Sequence, residues 1–130
     1  MKKSYFLILF FFASCQSPDA QNLALHKSYV FSTLPNYQYS DRARDNSSLT
    51  DGIYTSGNFW RSSTTVGWQS EKEVTITIDL QRKENIGKVT FNTVRNIALK
   101  INFPQNIFVF TSNDNSSFEY VGDAADSADN

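Results

Sequence analysis

The sequence predicts an all-β domain, an antiparallel sandwich of short strands. The clearest signal is Glu73–Leu80, where apolar and polar residues alternate strictly, so that one face carries the apolar side chains. Lys88–Val94 alternates in the same way. Polar turns separate these runs, and helical periodicity is almost absent between them. Short strands joined by polar turns are typical of sandwiches and not of folds in which helices alternate with strands.

The remaining strands are expected in the C-terminal part of the chain. Asn106–Ser112 has apolar residues on both faces, which predicts burial on both sides. Ser112–Ser117 is a polar turn cluster, and Phe118–Val121 is the expected return strand. The segments 35–48 and 95–103 have no period, so we expect loops at the sheet ends, where binding residues tend to lie.

The first 14 residues have the pattern of a secretory signal. Met1–Lys3 is basic, and Tyr5–Ala13 is nearly all apolar. This run is too short to cross a bilayer, which takes about 20 apolar residues. The alternative is a buried N-terminal strand, but no polar residues alternate with the aromatic ones.

Cys15 is the only cysteine, and Phe12–Cys15 resembles a bacterial lipobox, in which the cysteine is lipidated. The resemblance implies a lipoprotein of the cell envelope, at the outer membrane or cell surface, held to the membrane by its N-terminal lipid only. Cleavage after Ala20 by an ordinary signal peptidase is the alternative. Residues 15–21 would form a tether and residues 22–130 the domain, which has no disulfide.

Charge and motifs exclude several classes of function. The chain has 12 basic and 13 acidic side chains. Without residues 1–14, which hold Lys2 and Lys3, ten basic and 13 acidic side chains remain, a net charge of −3. No basic patch is present, which argues against a nucleic-acid partner. No carboxylate pair for acid–base chemistry, nucleophile motif or phosphate loop is found, so we expect no enzyme activity.

Five segments occur together in a characteristic order. They are Asn22–Leu25, Leu49–Gly52, Phe59–Trp60, Val74–Leu80 and Ile107–Asp114. This set resembles the coagulation factor 5/8 type C (discoidin) domain, and is especially similar to the bacterial galactose-binding-like members counted as family 32 carbohydrate-binding modules. The resemblance implies a jelly-roll sandwich whose loops at one end bind sugars, usually with one structural calcium ion.

The chain departs from that pattern at several positions. His26 and Gln81 stand where glycine is usual, and Ile53 stands where a second aspartate is frequent. The family's closing strands would lie beyond Asn130. We therefore expect the domain over 22–130 to be incomplete, marginally stable and prone to associate through open strand edges.

The resemblance places a calcium ion at Asp51, with Asn58 in the position of a further ligand. Calcium prefers several carboxylate and carbonyl oxygens held by a tight loop. The alternative is an ordinary turn, because Asp-Gly is among the commonest turn pairs. The sequence leaves both interpretations open.

Five residues are candidates for contact with a glycan. Sugars present apolar C–H faces that stack on aromatic rings, and hydroxyls that accept from planar donors. Arg61 follows Trp60 where many sugar-binding members have a histidine, and it can donate in a bidentate way. Trp60 is favoured as a core residue, and Trp68 could be core or platform. Arg95 and Asn102 lie near an arginine and an asparagine of sugar-binding relatives, although a solvated loop arginine is the slightly favoured alternative.

These features predict a non-catalytic carbohydrate-binding module on a lipid-anchored bacterial surface protein. One alternative is an accessory domain of a larger glycoside hydrolase. Another is an adhesion domain that binds protein, since the same fold also serves that role.

Overall fold

A computed structural model describes residues 21–40, 42–57 and 59–125. The predicted signal segment, Cys15 and Asn58 lie outside the described residues. The elements are β1 (Tyr29–Phe31), β2 (Ile76–Ile78), β3 (Phe108–Thr111) and β4 (Glu119–Asp123), with 3₁₀ turns at Arg42–Arg44, Phe59–Arg61 and Ile97–Leu99. The described part contains no α-helix, and the predicted all-β class is confirmed. None of its helical turns could span a membrane.

Strands β1 and β2 form an antiparallel pair, with Tyr29 opposite Ile78 and Phe31 opposite Ile76. The strand predicted over residues 73–80 therefore forms in its central part. Its pairing continues beyond β2, because the backbone N–H of Ser32 donates to Thr75 at 2.9 Å. The alternation of apolar residues located the strand correctly, while the partner strand set its length.

Strands β3 and β4 form the second antiparallel pair. Phe108 lies opposite Asp123 and Phe110 opposite Tyr120, with a bulge between them. Phe108 is 59 % exposed and Phe110 is also exposed, so the prediction that this strand is buried on both sides is wrong. An apolar pattern on both faces buries a strand only if a second layer packs against it. Among the described residues, contacts between strands occur within each pair and not between the two pairs.

The turn between β3 and β4 is organised by one carboxylate. Asp114 accepts hydrogen bonds on Oδ1 from the backbone N–H groups of Ser117 (2.8 Å) and Ser116 (2.9 Å) and from the hydroxyl of Ser112 (3.0 Å). These donors stabilise the charged form, the Ser117 amide most of all, and they lower the pKa of Asp114 to about 2. The predicted polar turn thus forms by Asx hydrogen bonding.

Lys88–Val94 forms no strand in the structure, so that prediction is wrong. Its alternating residues include Val89 and Phe91, which are both exposed. Alternation assigns side chains to faces, but a strand also needs a neighbour for its backbone hydrogen bonds, and this segment pairs with none of the described strands.

The most buried side chains are small and polar rather than large and apolar. Thr50 is 4 % exposed, and Ser48 and Ser40 are also buried, whereas no large hydrophobic side chain in the described part is fully buried. The apolar packing that exists centres on Phe31. Its ring lies edge-on to Tyr29 and to Trp68, with centroids 5.2 Å apart in both pairs.

The hydroxyl of Tyr29 connects β1 to the segment that precedes the candidate site. It donates to the carbonyl of Asp45 and accepts from the backbone N–H of Leu49 at 3.2 Å. The hydroxyl of Thr50 donates to the carbonyl of Lys27 at 2.8 Å, just before β1. Burial raises the pKa of the Tyr29 phenol above its ordinary value of 10.0, and the amide of Leu49 opposes this shift.

We predict that Tyr29→Phe lowers the free energy of unfolding by about 1–2 kcal/mol, because a part-buried carbonyl and amide lose their partner. It should also change the response to alkaline pH. The phenol's pKa is raised on folding, so its stabilisation is complete below pH 10 and is lost as the pH rises through the folded-state pKa.

Thermal melts between pH 7 and 11 measure this effect. The wild-type protein should lose stability more steeply above pH 10 than Tyr29→Phe. Tyr39→Phe, at an exposed tyrosine, is the control and should follow the wild type. Parallel pH profiles for wild type and Tyr29→Phe would contradict the role given to the hydroxyl.

Candidate functional site

Three hydroxyl groups close residues 55–64 into a loop. The Oγ1 atoms of Thr55 and Thr64 are 2.7 Å apart, and Ser62 Oγ lies 2.6 Å from Thr64 Oγ1. The hydroxyl of Thr55 also lies 3.1 Å from the carbonyl of Thr64. The ends of the loop are therefore held together, as in compact surface loops that present functional residues. We call the described residues 55–57 and 59–64 the hydroxyl-closed loop.

The tip of this loop carries Trp60 and Arg61 on a 3₁₀ turn. Gly57 has φ 75°, which turns the chain, and its carbonyl accepts from the N–H of Phe59 at 3.0 Å. Trp60 is half-buried, while Arg61 is exposed. The closure of the loop beneath this tip was missed from the sequence, although the run of Ser and Thr after Arg61 is a signal that could have found it.

Asp51 is engaged on both carboxylate oxygens. Oδ2 lies 3.2 Å from Nη2 of Arg44, and Oδ1 accepts from the backbone N–H of Ile53 at 2.9 Å. Gly52 follows with φ 78°, and a Cβ there would lie 2.8 Å from the Leu25 side chain, so the turn requires glycine. The sequence found the turn at Asp51 but missed Arg44.

This arrangement does not fit a calcium ion on Asp51. Calcium takes about six to eight oxygen ligands at 2.3–2.6 Å. A guanidinium on the same carboxylate would repel the dication, and the remaining oxygen already forms an Asx turn. Within the described ranges, no three acidic, His or Cys side chains are grouped as a metal site would need. The second predicted ligand, Asn58, lies outside those ranges.

Trp68 has a packing role in the structure. Its indole N–H donates to the carbonyl of Thr33 at 2.9 Å, and its ring lies edge-on to Phe31. Both the polar end and one ring edge are therefore used to attach the segment to β1. The structure thus shows packing contacts for Trp68, and its role in ligand binding stays a prediction.

Arg95 and Asn102 flank a tight hairpin. Asn96 and Ile101 form an antiparallel bridge with two backbone hydrogen bonds of 2.9 and 3.0 Å. The side chain of Asn96 accepts from the N–H of Leu99 at 3.2 Å, which caps the 3₁₀ turn between them. Because Arg95 and Asn102 come directly outside the bridged pair, their backbones lie side by side, and both residues are exposed.

The structure thus forms two separate groups from the predicted ligand residues. Trp60 and Arg61 share the hydroxyl-closed loop, and Arg95 and Asn102 share the hairpin base. The segments leading into them approach each other at the Tyr54 hydroxyl, 3.4 Å from Thr90 Oγ1.

A scan of protein-family models, a search of curated proteins and a search of solved structures each found no match. The similarity to discoidin domains therefore stays a prediction from the residues.

We predict that Thr55→Val loosens the hydroxyl-closed loop, because it removes the hydroxyl that lies near both the side chain and the carbonyl of Thr64. The loss of one or two part-buried hydrogen bonds should lower the free energy of unfolding by about 1–2 kcal/mol. Hydrogen exchange should quicken within residues 55–64.

The matched control is Thr77→Val, the same change on β2. It should leave exchange in the hydroxyl-closed loop unaltered. If Thr55→Val and Thr77→Val gave the same exchange pattern there, the loop would not depend on its hydroxyl closure.

Proposed function

We propose that this chain is a non-catalytic carbohydrate-binding module of the discoidin type, built on a jelly-roll sandwich. In this proposal it is a cell-envelope lipoprotein, attached to the membrane through Cys15. The observation that carries the binding function is the hydroxyl-closed loop, which holds Trp60 half-buried and leaves Arg61 exposed next to it.

The chemistry of this tip suits a sugar. The exposed part of a half-buried indole offers apolar ring surface to the C–H face of a pyranose. Because the side chain is already partly held, it loses little further conformational entropy on binding. The Arg61 guanidinium has no hydrogen bond or ion pair with the described residues, so its fork of donors is available to adjacent hydroxyls. The Arg95 and Asn102 pair offers a guanidinium and a side-chain amide, both polar donors, at a second point.

Backbone geometry supports the resemblance at two of the positions where the sequence departs from it. His26 has φ 58° and Gln81 has φ 67°, both in the left-handed region that favours glycine. These are positions where the discoidin pattern has glycine. The backbone at His26 and Gln81 adopts the conformation that glycine favours. A residue other than glycine costs about 1 kcal/mol or more in this conformation.

A second candidate function is protein binding, as in an adhesion domain. The observation that favours it is the β3–β4 pair, which exposes Phe108, Phe110 and Tyr120 together, with Tyr120 in ring contact with both phenylalanines. The Tyr120 ring is edge-on to Phe108 and tilted to Phe110, which makes a poor flat platform for a sugar. An accessory role in a larger glycoside hydrolase would use the glycan site in the same way.

We predict that Arg61→Ala weakens glycan binding at least about tenfold, the effect of roughly 1.4 kcal/mol, because a charged donor to sugar hydroxyls is lost. A glycan array first identifies the ligand, and titration calorimetry then compares the variants. Lys83→Ala removes an exposed cation elsewhere and should bind as the wild type does. Equal affinity of Arg61→Ala and wild type would exclude this loop as the site.

We predict that the full-length protein is lipidated at Cys15. In a bacterial host fed labelled fatty acid, the wild type should carry the label and sediment with membranes, because a diacylglycerol with a further acyl chain anchors stably. Cys15→Ala should be unlabelled and released. An unlabelled wild-type product in the soluble fraction would contradict the anchor.

A further inference from the structure

We propose that the Arg44 guanidinium is the cation that fixes the Asp51 turn in this chain, in place of a divalent metal, and that Arg44 thereby positions the hydroxyl-closed loop. The proposal concerns the fold of the site and does not depend on which ligand the site binds. Arg44 is a positioning residue. Its side chain acts through Asp51, and its backbone carbonyl acts through Ser48.

The two side chains of the Arg44–Asp51 ion pair are unequally buried. The side chain of Asp51 is only 9 % exposed, whereas that of Arg44 is 45 % exposed. A carboxylate that has lost most of its water needs a compensating positive charge or donors, and here the guanidinium at 3.2 Å provides the charge. The N–H of Ile53 provides the other donor at 2.9 Å.

The backbone of Arg44 organises the same segment. Its carbonyl accepts from the N–H groups of Ser47 (2.9 Å) and Ser48 (3.0 Å), and Ser48 Oγ lies 2.9 Å from it. Ser48 Oγ also lies 3.3 Å from the carbonyl of Ser63, within the hydroxyl-closed loop. Arg44 therefore holds Asp51 with its side chain and reaches the loop through a buried serine.

A divalent ion and the Arg44 guanidinium would compete for the Asp51 carboxylate. A divalent ion on Asp51 would have to share the carboxylate with a guanidinium, at a separation where like charges repel strongly in a partly desolvated site. One of the two must leave. The Arg44 guanidinium is part of the chain itself and lies only seven residues before Asp51. The Asp51 turn therefore needs no metal ion from solution to balance its charge.

The experiment compares thermal melts of the full chain in excess calcium and in excess chelator. The wild type should melt at the same temperature in both. Arg44→Gln and Asp51→Asn should each lower the melting temperature by about 2–6 °C, as expected for a partly exposed pair in a domain of this size. The double variant should be no less stable than the worse single variant, and Arg44→Lys should recover part of the loss.

Hydrogen exchange supplies the readout for positioning. Exchange within residues 55–64 should quicken in Arg44→Gln and return toward wild type in Arg44→Lys. Arg82→Gln, which breaks the exposed pair between Arg82 and Glu84, is the matched control and should leave that exchange unchanged.

Two results would overturn the proposal. One is a melting temperature that calcium raises in the wild type but not in Asp51→Asn, which would make Asp51 a metal ligand. The other is additive destabilisation by Arg44→Gln and Asp51→Asn, which would show that the two side chains act independently.

Discussion

The hydrogen bonds of the Tyr29 hydroxyl are the interaction on which the region between β1 and the candidate site depends. It joins β1 to the carbonyl of Asp45 and the amide of Leu49, while the ring of the same residue packs against Phe31. Phe31 in turn contacts Trp68. One side chain therefore couples the β1–β2 sheet, through its ring, to the polar segment that leads into the candidate site, through its oxygen. Since the phenol is part-buried, losing either hydrogen bond would leave a partly desolvated polar group without its partner.

The region around this hydroxyl is ordered by hydrogen bonds rather than by volume. Ser48 and Thr50 are among its most buried side chains, and both hydroxyls have partners in the backbone. No buried side-chain donor or acceptor in the described part lacks a partner. Hydrogen bonds are directional, whereas apolar contacts are not, so this arrangement specifies a loop conformation even with little apolar burial beneath it. Such a loop can present a charged residue without first being enclosed by a large core.

The sequence predicted those features that depend on local pattern. Alternation located β2 and β3, and the turn cluster around Asp114 formed as expected, because face and turn chemistry are encoded by neighbouring residues. Features that depend on a distant partner were missed. The segment 88–94 alternates but finds no strand to pair with, and β3 is not covered by a second layer in the described part. At the candidate site, Asp51 was found from its glycine neighbour, but its pairing with Arg44 follows no period and could not be read from spacing.

Two arginines near the site differ in role: one stabilises the turn at Asp51, and the other is available to a ligand. Arg44 and Arg61 are both exposed loop residues by sequence, yet Arg44 is committed to Asp51 while Arg61 has no partner in the described part. An arginine that is already paired must give up that pair before it can bind a ligand, so its affinity for the ligand is reduced by the energy of the pair. An unpaired guanidinium on a loop closed at its base has no such competing interaction, and less conformational freedom to lose. Arg61 is therefore the better placed of the two to recognise a ligand, and Arg44 to maintain the turn from which the loop departs.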